Sequence, residues 1–129
     1  MPDDSLANLL LEIRAFRDAR EWERFHTVRH LAAALSVEVA ELQEAVLWKT
    51  DDEVSASLAE SAFRTRVGHE VADVLIYVLL LSHACGLDPA TEIRVKLQLN
   101  AEKYPVELAR GSSKKYTELS PTTQHGEKQ

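Results

Sequence analysis

Two pairs of acidic residues, each spaced three apart, are the feature of this sequence best suited to chemistry. Glu38-x-x-Glu41 and Glu70-x-x-Asp73 both lie in segments rich in apolar residues. Because a helix turns about 100° per residue, Glu38 falls at the centre of an apolar stripe, and Glu70 falls within a second one. A buried carboxylate without a partner is costly or takes up a proton. A cation must therefore compensate for these four carboxylates.

Spacing alone leaves two interpretations of the four carboxylates open. Arg or Lys side chains of neighbouring helices could pair with the carboxylates, or the carboxylates could line a solvated face. Alternatively, the site binds a divalent cation, because each pair places two carboxylates about 5–6 Å apart on one helix face. Such oxygen ligands suit Mg²⁺, with Mn²⁺ as a substitute, and Mg²⁺ is commonly shared with substrate phosphates. Zinc is disfavoured, because His26 and His30 have the spacing of a two-histidine site but lack the glutamate of a zincin motif.

The elements that must position these residues are predicted to be helices. Gly and Pro are few, and the segments between them are long, which favours an all-α fold. We expect four helices: Ser5 to about Arg20, Val28 to Trp48, a third that starts at a Ser57-x-x-Glu60 capping box and ends at Cys85 before Gly86, and Asp88-Pro89 to Tyr104.

Composition limits the class of protein. The 129 residues predict one domain over residues 1–119, followed by a disordered tail over residues 120–129. A formal net charge of −6 argues against nucleic acid or an anionic membrane as a partner. The single cysteine, Cys85, and the absence of a signal peptide predict a cytoplasmic protein. The longest apolar run, Val74–Leu81, is much shorter than the roughly 20 residues that span a bilayer.

The sequence around the acidic pairs closely resembles that of one protein family. The segments are REWERFH (20–26), EVAELQEAVLW (38–48), EVADVLIYVLLL (70–81) and KLQLNAEKYPVELARGSSKKYTEL (96–119). Together they resemble the MazG-like all-α nucleotide pyrophosphohydrolases, in particular the dCTP pyrophosphatase branch. The similarity runs from about Leu9 to Leu119.

That resemblance implies a fold, a reaction and a set of site residues. It implies a four-helix MazG-like bundle whose protomers form a homotetramer, a dimer of dimers. It also implies hydrolysis of a nucleoside triphosphate between the α and β phosphates, giving the monophosphate and pyrophosphate. Glu38, Glu41, Glu70 and Asp73 would hold Mg²⁺ and, with Lys96, serve catalysis. The implied substrate-binding residues are Trp22, His26, Trp48, Lys96, Asn100, Lys103 and Tyr104.

One departure from the family's pattern leaves the identity of the substrate's base undecided. As aligned, the vertebrate branch carries a histidine facing the base where this chain has Ile13. The substrate could therefore be dCTP, dUTP or a modified nucleotide. A non-catalytic, metal-stabilised oligomerisation module is the alternative from another class. Independently of the family, the third helix is apolar nearly all round from Val71 to Leu81, which favours an oligomer that covers it.

Overall fold

The computed structural model describes residues 3–119, which contain helices and no strand, as predicted for an all-α protein. Two 3₁₀ turns, Glu23–Phe25 and Tyr116–Glu118, accompany six α-helices. The α-helices are α1 Leu6–Asp18, α2 Val28–Leu47, α3 Asp51–Ser57, α4 Ser61–Ala84, α5 Pro89–Lys103 and α6 Val106–Ala109. The expected count of four was incomplete, because it omitted α3 and α6. The predicted tail, residues 120–129, lies outside the described residues.

The first two long helices begin at side-chain caps. The hydroxyl oxygen of Ser5 accepts a hydrogen bond from the Asn8 amide at 3.3 Å. Thr27 does the same for the His30 amide at 3.2 Å. Each cap satisfies an amide that has no partner inside its helix. The predicted starts of α1 and α2 are confirmed.

The start of α4 was predicted from the wrong capping box. Ser57 is the last residue of α3, and Glu60 precedes α4 without any side-chain cap hydrogen bond. The box lies at Thr50, which accepts from the Glu53 amide at 3.2 Å, while the Glu53 carboxylate accepts from the Thr50 amide at 2.8 Å. Asp51 and Asp52 place negative charge in the first turn of α3, where it is favourable.

The end of α4 follows the prediction. Gly86 has φ +69°, a conformation that suits a residue without Cβ. The Leu87 amide donates to the Ser82 carbonyl at 2.9 Å, and the Gly86 amide donates to the His83 carbonyl at 3.0 Å. This is the hydrogen-bond pattern of a Schellman motif, which satisfies carbonyls at a helix end.

Chain contacts divide between Pro89 and Ala90 into two compact units. In the first unit α2 packs chiefly against α4, and α1 also packs against α4. The fully buried apolar side chains of this unit are Leu31, Ala45, Leu79 and Leu80. Each buried leucine contributes about 1.5–3 kcal/mol relative to an exposed one. In the second unit the Tyr104 and Tyr116 rings meet edge to face at 6.2 Å.

By length and composition alone, α4 is also able to cross a membrane, a test that core helices of soluble proteins pass as well. Glu70 and Asp73 lie near the middle of the helix. Their charges oppose placement in lipid, and they lead instead to the site described next.

Candidate active site

Three carboxylates meet where α2 packs against α4. Glu38 and Glu41 lie one turn apart on α2, and Glu70 lies on α4. One oxygen from each lies within 4.8 Å of the others. Glu38 and Glu70 are half-buried and Glu41 is exposed. The packing of the two helices therefore joins the first acidic pair to Glu70, while Asp73 lies outside the cluster and lines the adjoining cavity.

The cluster is short of positive charge. Burial raises the pKa of Glu38 above its usual value, and so do the charge and side-chain hydrogen bond of Glu41 and the charges of Asp73 and Glu70. One oxygen of Glu38 and one of Glu70 are buried with no hydrogen-bond partner. Buried carboxylate oxygens normally have a partner. A cation bound by oxygen ligands would supply it and would offset the mutual repulsion, so these residues fit a hard divalent cation.

A cavity of about 460 Å³ adjoins this cluster. Its apolar wall is formed by Ile13, Phe16, Trp22, Ile76 and Leu80. Its polar lining is formed by Glu12, Arg17, His26, Glu38, Asp73 and Tyr77. Small-molecule sites have this volume range and this mixture of aromatic wall and few polar groups. The cavity can therefore hold a ligand with one flat apolar part and one part directed at Glu38 and Asp73.

Two titratable side chains in the lining are held in their neutral forms. Burial lowers the pKa of His26, with further lowering by the charges of Arg17 and His30. Burial raises the pKa of Tyr77, as do the carboxylates of Glu38 and Asp73. A neutral imidazole offers one donor and one acceptor, and a phenol offers both functions on one oxygen. The Nδ1 atom of His26 is buried and has no hydrogen-bond partner among the described residues.

The aromatic wall is fixed by the turn that ends α1. Glu21 has φ +54°, an uncommon value for a residue with a side chain, and it reverses the chain between α1 and Trp22. The Trp22 amide donates to the Arg17 carbonyl at 3.2 Å. The indole packs edge-on against Phe16 with ring centroids 5.9 Å apart. These contacts set the position of the ring against the end of the helix.

The structure brings several predicted residues together and leaves others elsewhere. Trp22 and His26 line the cavity with Glu38 and Asp73. Trp48 is 86% exposed and does not line this cavity. Glu44 is exposed and lies outside the three-carboxylate cluster.

The remaining predicted residues belong to the second unit. Lys96, Asn100 and Lys103 lie on α5, with Tyr104 directly after it. Lys96 is exposed and Asn100 is half-buried. The Lys103 ammonium lies 5.0 Å from the centre of the Tyr116 ring. Their contacts with substrate stay predictions.

Sequence reasoning missed three polar residues of the cavity, Glu12, Arg17 and Tyr77. The signal for Arg17 was present, because it lies four residues after Ile13 and seven after Leu10, on the apolar stripe of α1. A charge inside an apolar stripe had identified Glu38. On α1 this signal coincides with the last helical turn, where a basic residue is ordinary.

The profile of the MazG-like family matches residues 33–119 of this chain, which span α2 to the last 3₁₀ turn. The chain belongs to the MazG-like family, and the membership predicted from the acidic pairs and their flanking text is confirmed.

Within that family the similar proteins include enzymes named for one nucleotide. The chain is 39% identical to human dCTP pyrophosphatase 1 over 118 residues, covering 92% of this chain and 69% of the human protein. It is 37% identical to the rat protein of the same name over 118 residues, again covering 92% of this chain and 69% of the rat protein. Among solved structures, a pyrophosphatase from Archaeoglobus fulgidus superposes with a TM-score of 0.73 at 37% identity, covering 81% of this chain and 96% of that one.

Proposed function

We propose that this protein hydrolyses a nucleoside triphosphate, dCTP or a related pyrimidine nucleotide, to the monophosphate and pyrophosphate in the presence of Mg²⁺. The observation that carries the proposal is the cluster of Glu38, Glu41 and Glu70 at the rim of an aromatic-walled cavity. The relatives named dCTP pyrophosphatase support the reaction class and the nucleotide. Removing damaged or surplus nucleotides from the precursor pool is the role that such a reaction serves.

The four motif carboxylates, Glu38, Glu41, Glu70 and Asp73, are the residues proposed to hold the metal. The buried unpartnered oxygens of Glu38 and Glu70 support them as ligands. When bound there, Mg²⁺ supplies charge neutralisation for the phosphates and a more acidic water, with Mn²⁺ as a substitute. Exposed carboxylates nearby, Glu41 or Glu44, are candidates to orient that water.

The cavity lining assigns roles to the chain's own side chains. Trp22 presents a ring on which a base can stack. His26 and Tyr77, both held neutral, can donate or accept hydrogen bonds without introducing a charge beside the base. The predicted donors of the second unit, Lys96, Asn100, Lys103 and Tyr104, together with Trp48, are proposed to contact the nucleotide on the strength of the family resemblance.

A homotetramer is part of the same proposal. In the single chain, α4 leaves Val71 40% and Leu75 53% exposed, although the helix carries the core of the first unit. Apolar side chains exposed along one helix are typical of a surface that another protomer covers. Residues 1–119 are proposed to form one MazG-like domain in each protomer, and the protein is proposed to act in the cytoplasm.

The base remains the open part of the substrate. Ile13 lines the cavity, so a branched aliphatic side chain faces the ligand where the vertebrate branch has a histidine. That observation favours a second candidate substrate, dUTP or a modified pyrimidine, on the same fold and chemistry.

The test is a comparison of dCTP, dUTP, dTTP and the ribonucleotides with and without Mg²⁺, with pyrophosphate and orthophosphate measured separately. We expect pyrophosphate only when Mg²⁺ is present, and no turnover by Glu38→Gln. Release of orthophosphate would show that the bond cleaved is not the one between the α and β phosphates. Full activity of Glu38→Gln would overturn the metal assignment. No release from any nucleotide would favour a non-catalytic helical module.

A further inference from the structure

Arg17 is a charged side chain buried at the cavity wall. It is 5% exposed as a residue, and it is the one fully buried charged or polar residue among residues 3–119. It lies in the last turn of α1, where a positive charge is favoured by the helix dipole. Burying a guanidinium remains costly unless its donors are paired.

The pairing of Arg17 is incomplete. Its Nε donates to Oδ1 of Asp18 at 2.8 Å, and its Nη2 lies 2.7 Å from that same oxygen. The nearest oxygen of Glu23 is 3.9 Å from Nη2, which is too far for a hydrogen bond. A guanidinium carries five N–H donors. The two donors of Nη1 thus have no acceptor among the described side chains and backbone.

Arg17 lines the cavity together with Phe16 and Trp22 of its aromatic wall. The Arg17 carbonyl accepts from the Trp22 amide, so the arginine and the indole are fixed to one turn. The charge of Arg17 acts on His26, whereas the charges acting on Glu38 come from Glu41, Asp73 and Glu70. Arg17 is thus the basic side chain of the cavity lining, and the same lining contains the carboxylates of Glu38 and Asp73, where the phosphates and their cation would bind.

The geometry points to Arg17 as a residue that determines base specificity, by donating a hydrogen bond from Nη1 to a carbonyl oxygen of the substrate's base. Cytosine, uracil, thymine and guanine carry such an oxygen, and adenine does not. The stacking surface of Trp22 accepts any base, so the arginine adds the selection that stacking lacks. This inference rests on the proposed function, because it requires a nucleotide in the cavity.

The test compares Arg17→Met with the wild type on two substrates, one whose base carries a carbonyl acceptor and one whose ring carries none. One is dCTP, and the other is the triphosphate of a phenyl C-deoxyriboside, whose ring stacks but carries no acceptor. We expect kcat/KM for dCTP to fall about 10- to 100-fold, mainly through KM, because a hydrogen bond to a charged donor is lost. The phenyl substrate should change by less than about twofold, since it never made that bond.

Controls separate a binding role from a structural one. Arg24→Met removes an exposed arginine that packs on Phe25 outside the cavity, and it should leave both substrates unchanged. Arg17→Lys keeps the charge and one flexible donor, so it should recover part of the dCTP activity if Arg17→Met folds poorly.

The outcomes are distinct. An equal loss on both substrates, or an unchanged ratio between them, would overturn the role of Arg17 in base recognition. If the wild type releases pyrophosphate from no nucleotide, the proposed function itself fails, and that result is seen before any variant is compared.

Discussion

Replacing Glu38 by Gln should make the metal-free protein more stable while removing its response to Mg²⁺. Glu38 is half-buried, and its carboxylate is grouped with those of Glu41 and Glu70 without a basic side chain in the cluster. A glutamine has the same shape and no charge, so it relieves repulsion with little change in packing. The same change deletes a proposed metal ligand.

The size of the effect follows from the distances. The ligand oxygens of the three carboxylates lie within 4.8 Å of one another. Two unit charges at that separation repel by about 0.9 kcal/mol in water and by about 3.5 kcal/mol at an effective dielectric constant of 20. Proton uptake and solvent relieve part of this, so we expect Glu38→Gln to raise the free energy of unfolding by about 1–3 kcal/mol at pH 8.

The pH dependence has a definite sign. The pKa of Glu38 is raised on folding above the value of 4.5 that represents the unfolded chain. The stability that this group contributes is therefore complete below pH 4.5 and is lost as the pH rises through the folded-state pKa. Because glutamine does not titrate, the advantage of Glu38→Gln should grow over that interval and then level off.

The assay is urea unfolding at fixed protomer concentration, in EDTA and in Mg²⁺. Magnesium at 100 times its dissociation constant should stabilise the wild type by about 2.7 kcal/mol and the variant by much less. Glu44→Gln, an exposed glutamate of the same helix outside the cluster, is the matched control and should stay within about 0.5 kcal/mol of the wild type. A metal-free Glu38→Gln protein less stable than the wild type would refute the reasoning.

Three further predictions concern the fold and His26. Leu31→Ala removes most of a side chain that is 1% exposed and leaves a cavity, so it should lower the free energy of unfolding by about 2–5 kcal/mol in urea titrations. A loss below about 1 kcal/mol would show that Leu31 is not part of the core. Gly86→Ala meets no atom within 4 Å but forces alanine to φ +69°, so calorimetry should show a loss of about 1–2 kcal/mol, and an unchanged midpoint would contradict the strain. The pKa of His26 is lowered on folding, so its contribution is present above pH 6.5 and is lost as the pH falls through 6.5 toward the folded-state pKa. The wild type should consequently lose more stability than His26→Gln between pH 7.5 and 5.5, and parallel curves would refute this.

The acidic cluster could be predicted from the sequence because its signal is local. Glu38 and Glu70 interrupt apolar stripes, and any helix that buries those stripes must bury the carboxylates. That the two stripes face each other depended on α2 packing against α4, which the family resemblance implied and the spacing did not.

The errors have equally local causes. The helix α3 was omitted because it is only seven residues long and begins with Asp51 and Asp52, a residue type that also favours turns. Ser57-x-x-Glu60 has the letters of a capping box without its hydrogen bonds. Arg17 lies on the apolar stripe of α1, but it is also in the last helical turn, where a basic residue is ordinary, so its burial was not predicted.

The helix α4 contributes both to the core and to the cavity wall, and this has a consequence for amide hydrogen exchange. Leu79 and Leu80 anchor the core, and Leu80 also forms the cavity wall with Ile76 and Tyr77. Amides of that stretch can exchange only when the core opens, so they should exchange at the rate of global unfolding. The turn that carries Trp22 lies at the surface, with Trp22 44% exposed, and should exchange sooner. When a ligand fills the cavity, the amides of the turn should therefore be the first to exchange more slowly. The exchange rates of the α4 amides, which are already slow, should not change.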